Sequence, residues 1–579
     1  MSRLYLIAMC LITLLSFLSL THKKNLPVDK TASIYSPETI GCGPPSEQID
    51  IFKSPDRKMV PLPGWGNHQW KIETSSDSSQ FYFNQGLNLF YSFHMDEAKA
   101  SFREAQLHDD KCAMAFWGET MAAGPFINVP VYNNFNDSAS IVAIEKAKSL
   151  AKNDLEKAII DAQRLRFTAY KNADTKQVAS SYMQAMKTIY EQNKNNTEIA
   201  VLYADALMLI HPRDWYDAKG TEKEGTKEII ELLEQILTQD PDHPAALHYY
   251  IHMVEPSTTP QRATGAADRL MPLLPSVAHM VHMPSHIYVR TGYYSKGIQS
   301  NQRAIAGYSS YKQILKGWQG NHYLYLYHNA DMQGTNAMMM GNYKLAKSSF
   351  QQNRDQFDPV DTSFFSIPTM SGISQFVTAQ PYLLDVRFGN WQKILNEKKP
   401  ISNHSFHKIL WLFGQGMALT ATGRTNNATE ALKQMKALSS DSSLLTSRPN
   451  RNRAIDAVNI AALVLEGKIL MQQKNWTGAI KKFTSAITAE DNLRYSEPED
   501  WRIPSRQFLG QTYLLKGDYR LAQKTFEEDL LKHPYNFWAL NGLKDVFKKQ
   551  GNFKASMALT KQYKKVFESA DIKLYGAVY

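Results

Sequence analysis

The chain has 579 residues, of which 43% are hydrophobic and 21% charged, so it contains enough apolar material for a folded core. Its formal net charge of +10 comes from lysines and arginines that are spread along the chain rather than gathered in one run. Because no segment combines basic and aromatic residues in the manner of a known nucleic-acid module, the composition argues against nucleic acid as a partner.

The first residues are predicted to direct export. Residues 1–20 (MSRLYLIAMCLITLLSFLSL) contain one arginine and then an apolar run that ends at the polar stretch THKK. This pattern is typical of a secretory signal, and an uncleaved anchor is the alternative because no A-x-A cleavage site follows it. We therefore predict a signal peptide at residues 1–22 and an exported protein. After this segment, no apolar run has the length that a transmembrane helix requires.

Residues 23–75 are predicted to form an irregular lead-in that packs against the helices. They include stretches rich in proline, serine and glycine, such as SPETIGCGPPSEQ and VPLPGWGNHQW. The lead-in contains Cys42, and the first repeats contain Cys112. In an oxidising compartment the two thiols are able to form a disulfide, and the alternative is that they are two unrelated small residues.

From residue 76 onward, the sequence has the spacing of tetratricopeptide (TPR) repeats. A TPR unit has about 34 residues in two antiparallel helices, and small residues at fixed positions let these helices approach each other. In the first unit, Gly86 and Ala98 stand twelve residues apart (98 − 86 = 12). The same spacing recurs at Gly334/Ala346, Gly416/Ala428, Gly467/Ala479 and Gly510/Ala522. We therefore predict an all-α superhelix, a solenoid of TPR-type helical hairpins.

Two arrays of repeats are predicted, with a polar stretch between them. The N-terminal array covers residues 76–396 and the C-terminal array covers residues 397–579, and the stretch NEKKPISNHS lies at the boundary. Within the first array, the segment HPRDWYDAKGTEKEG (residues 211–225) is inserted between two helices of one repeat. We expect a loop of this length to form a lid or a wall over the concave groove.

Two pairs of histidines occupy equivalent positions in successive repeats. His248 and His252 are four residues apart, and His282 and His286 repeat this spacing 34 residues later, since 282 − 248 = 34. Side chains four residues apart lie on one face of a helix, and about 34 residues is the TPR period. The pairs are therefore predicted to face the same groove.

Three further residues that are able to bind metal fall on the same predicted face. In TPR proteins, fixed positions of the first helix of each repeat point into the concave groove. Counted along the repeats of this chain, His279, His328 and Glu255 occupy such positions. The sequence thus predicts one patch of polar side chains that spans three adjacent repeats.

The clustered imidazoles predict a site for zinc or another transition-metal ion. Two pairs on neighbouring helices, whose axes lie about 8–10 Å apart, are able to converge on one ion. Imidazole suits Zn, Cu, Fe or Ni. If three histidines held an ion with a bound water, Glu255 would be the candidate general base. Two alternatives stay open, namely a polar pocket for an anionic ligand or a peptide carboxylate, and a purely structural network of hydrogen bonds.

Pro284 interrupts the second pair of histidines. A proline inside a helix removes one backbone hydrogen bond and clashes with the carbonyl four residues earlier. Either the helix kinks there, or it begins near Met283. In the second case, His282 and His286 are not expected to share a regular helical face.

Other polar residues are candidates to support the site. They are His211, Arg213 and Trp215 in the inserted loop, Arg290, and Glu497, Trp501 and Arg506 in the stretch YSEPEDWRIPSR (495–506). A superhelix is able to bring this C-terminal stretch across the groove. The sequence pattern alone does not decide whether it does.

Several segments resemble those of a group of bacterial exported TPR proteins, in the same order along the chain. They are HYYIHMVE (248–255), VHMPSHIY (281–288), YHNADM (327–332) and YSEPEDWRIPSR (495–506). The third motif of the group has a second histidine where this chain has Asp331. The resemblance implies a TPR solenoid with a site in its groove and a location in the periplasm or cell envelope of a bacterium. It implies no particular reaction.

The sequence as a whole favours a binding function. Because repeats account for nearly the whole chain, we expect a cell-envelope scaffold whose concave groove takes a peptide, a protein or a small ligand. The alternative is a metal-dependent, hydrolase-like enzyme that uses His248, His252, His282 and His286 as ligands. No catalytic triad, phosphate-binding loop or nucleotide motif competes with these histidines.

Overall fold

Helices make up the regular structure of this chain. The computed structural model describes residues 58–129, 138–168, 175–315, 322–357, 368–400, 404–573 and 576–579. Within these ranges, β-structure is limited to isolated bridges that join Phe126 to Val129 and Tyr216 to Glu222. The prediction of an all-α fold is therefore confirmed.

The predicted signal peptide at 1–22 lies outside the described residues, as do most of the lead-in and Cys42. Export and the pairing of Cys42 with Cys112 therefore stay predictions. Cys112 itself is buried immediately before a helix. Among the helices that the structure describes, none combines the length and the apolar character needed to cross a membrane.

The helices that precede and include the first histidine pair form the beginning of the array. They are α1 (Asp77–Tyr91), α2 (Met95–His108), α3 (Ala113–Ala123), α4 (Ser138–Leu150), α5 (Asp154–Thr168), α6 (Thr175–Gln192), α7 (Thr197–Met208), α8 (Thr226–Gln239) and α9 (Pro244–Val254). Consecutive helices pack side by side throughout this region, as expected for a solenoid. In addition, α9 packs against α1, which brings the start of the chain to the histidines.

The middle of the array carries the remaining histidines of the predicted site. Its helices are α10 (Thr264–Leu273), α11 (Ala278–His282), α12 (Pro284–Thr291), α13 (Tyr294–Ile314), α14 (His322–Met339), α15 (Tyr343–Phe357), α16 (Pro368–Arg387) and α17 (Trp391–Asn396). A short 3₁₀ helix, Pro260–Ala263, precedes α10. Both α11 and α12 pack against the long helix α13, which supports them from behind.

The C-terminal repeats continue the same arrangement. They contain α18 (Ser405–Ala421), α19 (Thr425–Leu438), α20 (Ser443–Thr446), α21 (Ala454–Gln472), α22 (Trp476–Asp491), α23 (Ser505–Lys516), α24 (Tyr519–Lys532), α25 (Phe537–Lys549), α26 (Phe553–Gln562) and α27 (Lys564–Ser569). The longer helices form hairpins, in which α18 packs on α19, α21 on α22 and α23 on α24.

A glycine in the first helix of a hairpin faces a phenylalanine in the second helix. A Cβ atom at Gly334 would lie 2.5 Å from the ring of Phe350, and a Cβ atom at Gly510 would lie 2.7 Å from the ring of Phe526. The same contact occurs at Gly86/Phe102 and Gly467/Phe483. Because any side chain would collide with the ring, glycine alone permits this helix spacing, which explains the recurring pattern in the sequence.

The helix that carries the second histidine pair is interrupted at Met283. Helix α11 ends at His282 and α12 begins at Pro284, because proline has no N–H group to continue the helix. Met283 keeps helical backbone angles (φ −50°, ψ −39°), so the chain runs on in nearly the same direction. His282 and His286 therefore still meet, with their Nε2 atoms 2.8 Å apart, although we expected an interrupted helix to separate them.

The C-terminal repeats pack against the middle of the N-terminal array. The indole N–H of Trp538 donates to the carbonyl oxygen of Met338 at 2.9 Å, and the guanidinium of Arg387 lies 3.9 Å from the centre of the Trp538 ring. Arg502 donates to the carboxylate of Asp331 at 2.8 Å. Asp331, which replaces the second histidine of the resembling motif, thus serves this contact between the two parts of the chain.

Candidate metal centre

Four helices bring six histidines together in the interior of the superhelix. Helix α9 contributes His248 and His252, α11 contributes His279 and His282, α12 contributes His286, and α14 contributes His328. All of them are fully buried except His328, which is partly exposed. They form a first histidine group (His248, His252 and His279) and a second histidine group (His282, His286 and His328).

The Nε2 atoms of the first histidine group face one another. The Nε2 atom of His248 lies 3.1 Å from that of His252 and 3.2 Å from that of His279. One ring nitrogen of each histidine lies within 4.8 Å of one ring nitrogen of each other member. The three imidazoles therefore surround one small space.

The second histidine group repeats this arrangement. The Nε2 atom of His286 lies 2.8 Å from that of His282 and 3.2 Å from that of His328. We expected the two pairs from the sequence to converge on one site. Instead, the structure separates the pairs, and each of them is completed by one further histidine, His279 or His328.

In the first histidine group, backbone and carboxylate oxygens determine where the ring protons lie. The Nδ1–H of His248 donates to the carbonyl oxygen of Tyr91 at 2.8 Å, and the Nδ1–H of His252 donates to Oε1 of Glu255 at 3.2 Å. These oxygens only accept hydrogen bonds, so both rings carry their proton on Nδ1 and a lone pair on Nε2. The 3.1 Å contact between the two Nε2 atoms therefore contains no hydrogen.

The second histidine group has the same protonation. The Nδ1–H of His282 donates to Oδ1 of Asn301 at 2.6 Å, and the amide nitrogen of Asn301 donates to the carbonyl oxygen of Gly297 at 2.8 Å, which fixes the orientation of the amide. The Nδ1–H of His286 donates to Oε2 of Glu255. The Nε2 atoms of His282 and His286 therefore point away from these acceptors and face each other at 2.8 Å.

Burial keeps five of the six imidazoles neutral. It lowers the pKa of His248 to about 3, and the positive charge of Arg213 acts in the same direction. Burial also lowers the pKa well below the ordinary value at His252, His279, His282 and His328. At neutral pH these rings are therefore not protonated, and neutral imidazole is the form that binds metal ions.

An aromatic ring covers the first histidine group on one side. The ring centre of Phe93 lies 4.5 Å from that of His248, 5.6 Å from that of His279 and 6.0 Å from that of His252. Phe93 has a φ angle of +60°, which residues with a Cβ atom rarely adopt. Such a conformation costs about 1–3 kcal/mol and persists only where the surrounding structure holds it. The strained residue gives the group an apolar wall.

Glu255 connects the two histidine groups from their Nδ1 side. Its Oε1 accepts from His252 and its Oε2 accepts from His286. The guanidinium of Arg213 lies 3.5 Å from Glu255 and 3.2 Å from Glu497. Although Glu255, His286 and Glu497 themselves lie within 4.8 Å of one another, Arg213 supplies the positive charge at that point. Glu255 therefore lies where it orients imidazoles, and it does not lie on the Nε2 side where a general base would act.

The inserted loop and the C-terminal stretch close over the site. Arg451 donates to the carbonyl oxygen of Arg213, and the guanidinium of Arg290 lies 5.1 Å from the ring centre of Tyr495. Arg290 also donates to the carbonyl oxygen of Glu255 at 2.6 Å. Residues far apart in the sequence thus form one wall around the histidines.

The remaining candidates from the sequence lie away from the histidines. His211 is exposed at the start of the inserted loop. Trp501 is buried against Phe413, with ring centres 5.5 Å apart, and Arg506 pairs with Asp491 at 2.8 Å. Trp501 and Arg506 thus pack within the C-terminal repeats, and both also line the cavity described below.

A third cluster of titratable side chains lies behind the first histidine group, and no sequence pattern predicted it. Glu198 contacts Nε2 of both His68 and His243, and it accepts from the hydroxyl of Tyr91 at 2.6 Å. Burial acts to raise the pKa of Glu198, but His243 and His68 outweigh it and lower the pKa to about 2. The backbone N–H of Ala246 points at Nδ1 of His243, so the proton of that ring faces the carboxylate. This cluster is therefore centred on the Glu198 carboxylate, which contacts both rings and the Tyr91 hydroxyl.

A cavity of about 340 Å³ lies beside the inserted loop. It is lined by the inserted loop, by residues 256–258 and by the C-terminal stretch. A separate, narrower space of about 20 Å³ is lined by His252 and Glu255. The two spaces share the lining residues Asp217, Pro256, Arg494 and Tyr495. They are therefore neighbours, and the smaller one contacts the first histidine group.

No family model and no curated protein matches this chain. Similar solved structures include a human IFIT1 dimer with m7Gppp-AAAA (12% identical, 86% of this chain and 91% of that chain, TM-score 0.28) and the APC/C hetero-tetramer Cut9-Hcn1 (13% identical, 85% and 76%, TM-score 0.28). The TPR domain of P58(IPK) is 10% identical, with 86% and 99% of the chains covered and a TM-score of 0.23. Because these TM-scores are low, the helical-repeat fold rests on the glycine–phenylalanine packing within this chain.

Proposed function

We propose that this protein binds two transition-metal ions, one in each histidine group. The observation that carries the proposal is the contact between two Nε2 atoms whose rings both donate through Nδ1, at 3.1 Å for His248 and His252 and at 2.8 Å for His282 and His286. In two neutral rings of this orientation, each Nε2 atom carries a lone pair. Two lone pairs at these distances repel each other, and buried surroundings screen that repulsion poorly. A cation between the two nitrogens replaces the repulsion with two coordinate bonds.

The spacing of the nitrogens fits a metal ion. Zinc–nitrogen bonds are about 2.0–2.1 Å long, so two ligands of a tetrahedral ion lie about 3.3–3.4 Å apart. The Nε2–Nε2 contacts in the two groups range from 2.8 to 3.2 Å, so only a small outward movement is needed. In addition, histidines that bind metals usually donate their other ring N–H to a carbonyl or a carboxylate. His248, His252, His282 and His286 donate in this way to a carbonyl, carboxylate or amide oxygen.

The ligand set favours zinc, copper, nickel or iron. Imidazole suits these ions, whereas magnesium and calcium prefer oxygen ligands. Three protein ligands per ion also leave a position open for water or substrate, as in catalytic zinc sites. A metal-bound water becomes a strong nucleophile at neutral pH. A hydrolase-like reaction at the two ions is therefore the catalytic form of this proposal, with Glu255 as an orienting residue.

Elemental analysis of the purified protein tests the proposal. After reconstitution with Zn²⁺ and removal of unbound metal, we expect two ions per chain. His248→Ala and His282→Ala each disrupt one group, so each variant should retain one ion. The matched control is His211→Ala, which removes an exposed histidine and should retain both ions.

Two results would contradict the proposal. One is an unmutated protein that binds less than a tenth of an ion per chain after reconstitution. The other is equal metal content in the unmutated protein and in a His248→Ala/His282→Ala double variant, which would place the ions elsewhere. Circular dichroism of each variant distinguishes the loss of ligands from the loss of the fold.

As a second function, we propose that the cavity of about 340 Å³ binds a small polar ligand that approaches the ions. The observation that favours this is the narrower space, which shares Arg494 and Tyr495 with the cavity and is also lined by His252. From the sequence we expected a peptide, a protein or a small ligand somewhere in the TPR groove. This proposal selects the small ligand and assigns it to the cavity. Arg494→Ala should weaken binding of carboxylate-containing compounds in a thermal-shift panel but leave the metal content unchanged. Equal shifts in melting temperature for the unmutated protein and for Arg494→Ala would show that these compounds do not bind in the cavity.

We also propose that the protein acts outside the cytoplasm, in the periplasm or cell envelope of a bacterium. The apolar run at residues 1–20 supports this proposal. The test is the N-terminal mass of the protein isolated from its native cells, together with fractionation of those cells. We expect a chain that starts near residue 23 in the periplasmic or membrane fraction. A full-length chain in the cytoplasmic fraction would contradict export.

A further inference from the structure

We infer that Glu255 couples the two metal ions, so that binding of one ion strengthens binding of the other. This inference rests on the proposed function, and it deepens it because it makes the two groups a single dinuclear unit. The observation behind it is that one carboxylate holds one ligand of each group. Its Oε1 accepts from Nδ1 of His252 at 3.2 Å, and its Oε2 accepts from Nδ1 of His286.

The carboxylate is held too firmly to serve the two groups independently. Glu255 is 1% exposed and directly follows helix α9. The guanidinium of Arg290 donates to its carbonyl oxygen at 2.6 Å, and Arg213 lies 3.5 Å from its Oε1. Because backbone and side chain are both restrained, a movement of the carboxylate toward one imidazole changes its hydrogen bond to the other.

Metal binding acts directly on these hydrogen bonds. An ion at Nε2 withdraws electron density from the imidazole, so its Nδ1–H becomes a stronger donor to the carboxylate. When the first ion binds through His252, the stronger hydrogen bond from His252 therefore holds Glu255 in the position that it already occupies. His286 then finds its acceptor already fixed, so less ordering remains to be done when the second ion binds. The negative carboxylate between the groups also reduces the repulsion between the two cations.

The other anchors of the ligands act on one group only. The carbonyl oxygen of Tyr91 holds His248, and Oδ1 of Asn301 holds His282. Neither contacts the opposite group in the described hydrogen bonds. Asn301 therefore provides a matched control, because its loss should weaken the second histidine group without changing the coupling between the groups.

The coupling is measurable as a ratio of Zn²⁺ affinities of the full-length protein, from competition with a chromophoric chelator. His282→Ala gives the affinity of the first histidine group alone, and His248→Ala gives the affinity of the second. The overall two-ion constant of the unmutated protein, divided by the product of these two constants, is the coupling factor. We expect a factor of about 5 to 150, the usual range for coupled sites.

The same cycle is repeated in Glu255 variants. Glu255→Gln offers one acceptor oxygen and one NH₂ group, so it is able to serve only one of the two Nδ1–H donors. Glu255→Asp keeps the charge but is one methylene shorter, so it does not reach both rings. In both backgrounds the coupling factor should fall to about 1. In the Asn301→Ala background it should keep the value of the unmutated protein.

The outcomes separate this inference from the proposed function. Two ions bound with a coupling factor of 1 in the unmutated protein would overturn the coupling and leave the metal sites intact. A factor that survives both Glu255 variants, or that Asn301→Ala also abolishes, would show that the coupling does not run through Glu255. Absence of any bound ion would overturn both proposals. Circular dichroism identifies a variant that fails to fold. Even without that variant, a coupling factor of 1 in the unmutated protein contradicts coupling between the two sites.

Discussion

The two histidine groups and His533 are buried imidazole rings in opposite electrostatic environments. His533 lies between two carboxylates, with Nδ1 3.2 Å from Asp529 and Nε2 3.0 Å from Glu499. Burial acts to lower its pKa, but the two carboxylates outweigh it and raise the pKa to about 9. In the histidine groups, the carboxylate of Glu255 lies only on the Nδ1 side, and burial lowers the pKa of His248 to about 3.

The difference lies in the source of positive charge. At His533 a proton supplies it, because both ring nitrogens have an anionic acceptor. In the two histidine pairs the Nδ1 atoms already contact acceptor oxygens, and the Nε2 atoms face each other. A proton placed between them would be a buried charge near Arg213. Our proposal places a metal ion there, and we expect the following changes to test that distinction.

The largest effect is expected when both histidine groups are disrupted. The His248→Ala/His282→Ala variant should lose both ions and with them the stabilisation that bound metal gives the folded protein. At a free Zn²⁺ concentration a thousandfold above Kd, that stabilisation is about 4 kcal/mol for one site. Thermal unfolding with and without Zn²⁺ should therefore show a large Tm increase for the unmutated protein and none for the variant. His533→Ala is the control and should retain the full increase.

The second effect is a loss of stability at alkaline pH that depends on His533. Its pKa rises from the ordinary 6.5 to about 9 in the folded protein, so its contribution is complete below pH 6.5 and is lost as pH increases through about 9. By linkage this contribution is about 3 kcal/mol. Urea unfolding at pH 6.5 and pH 9.5 measures it. His533→Gln should flatten the dependence in this window without changing the metal content, and an unchanged slope would contradict the assignment.

A smaller effect is expected from adding one methyl group between packed helices. A Cβ atom at Gly510 would lie 2.7 Å from the ring of Phe526, so Gly510→Ala should lower the free energy of unfolding by about 1–3 kcal/mol. Gly334→Ala makes the equivalent change against Phe350, in the helix that also carries His328. Denaturant unfolding should give similar losses for both variants. Only Gly334→Ala should also weaken Zn²⁺ binding, and equal Zn²⁺ affinities would show that His328 tolerates the displacement.

The smallest effect is expected at His211. This side chain is exposed and lies outside both groups, so His211→Ala should change the free energy of unfolding by less than about 0.5 kcal/mol. Its metal content should equal that of the unmutated protein. A loss of metal would show that the inserted loop contributes a ligand.

The fold was predictable from the sequence because its signal is local. Gly86, Gly334, Gly467 and Gly510 each stand sixteen residues before the phenylalanine that they contact, since 102 − 86 = 16 in the first case. That spacing is set within one helical hairpin, where close approach of the helices requires glycine. The repeat period also brought the two histidine pairs into equivalent positions, and the structure places both of them in the interior.

The composition of the site was only partly predictable. Three of its residues have no sequence signal: Tyr91 acts through its backbone carbonyl, Asn301 lies in a different helix, and Phe93 acts through its ring. The effect of Pro284 was also misjudged, because Met283 keeps helical angles across the break. A spacing rule describes one helix at a time and does not include such neighbours.

The sequence by itself determined the helical repeats and the histidines that share a helix face, because both follow from periodicity along one helix. Only the tertiary structure decided that His279 joins His248 and His252 while His328 joins His282 and His286. It also decided that Glu255 serves both groups from behind. The grouping of the histidines depends on the twist between repeats, and the role of Glu255 depends on which ring nitrogen contacts it. The spacing of residues along the chain determines neither of these.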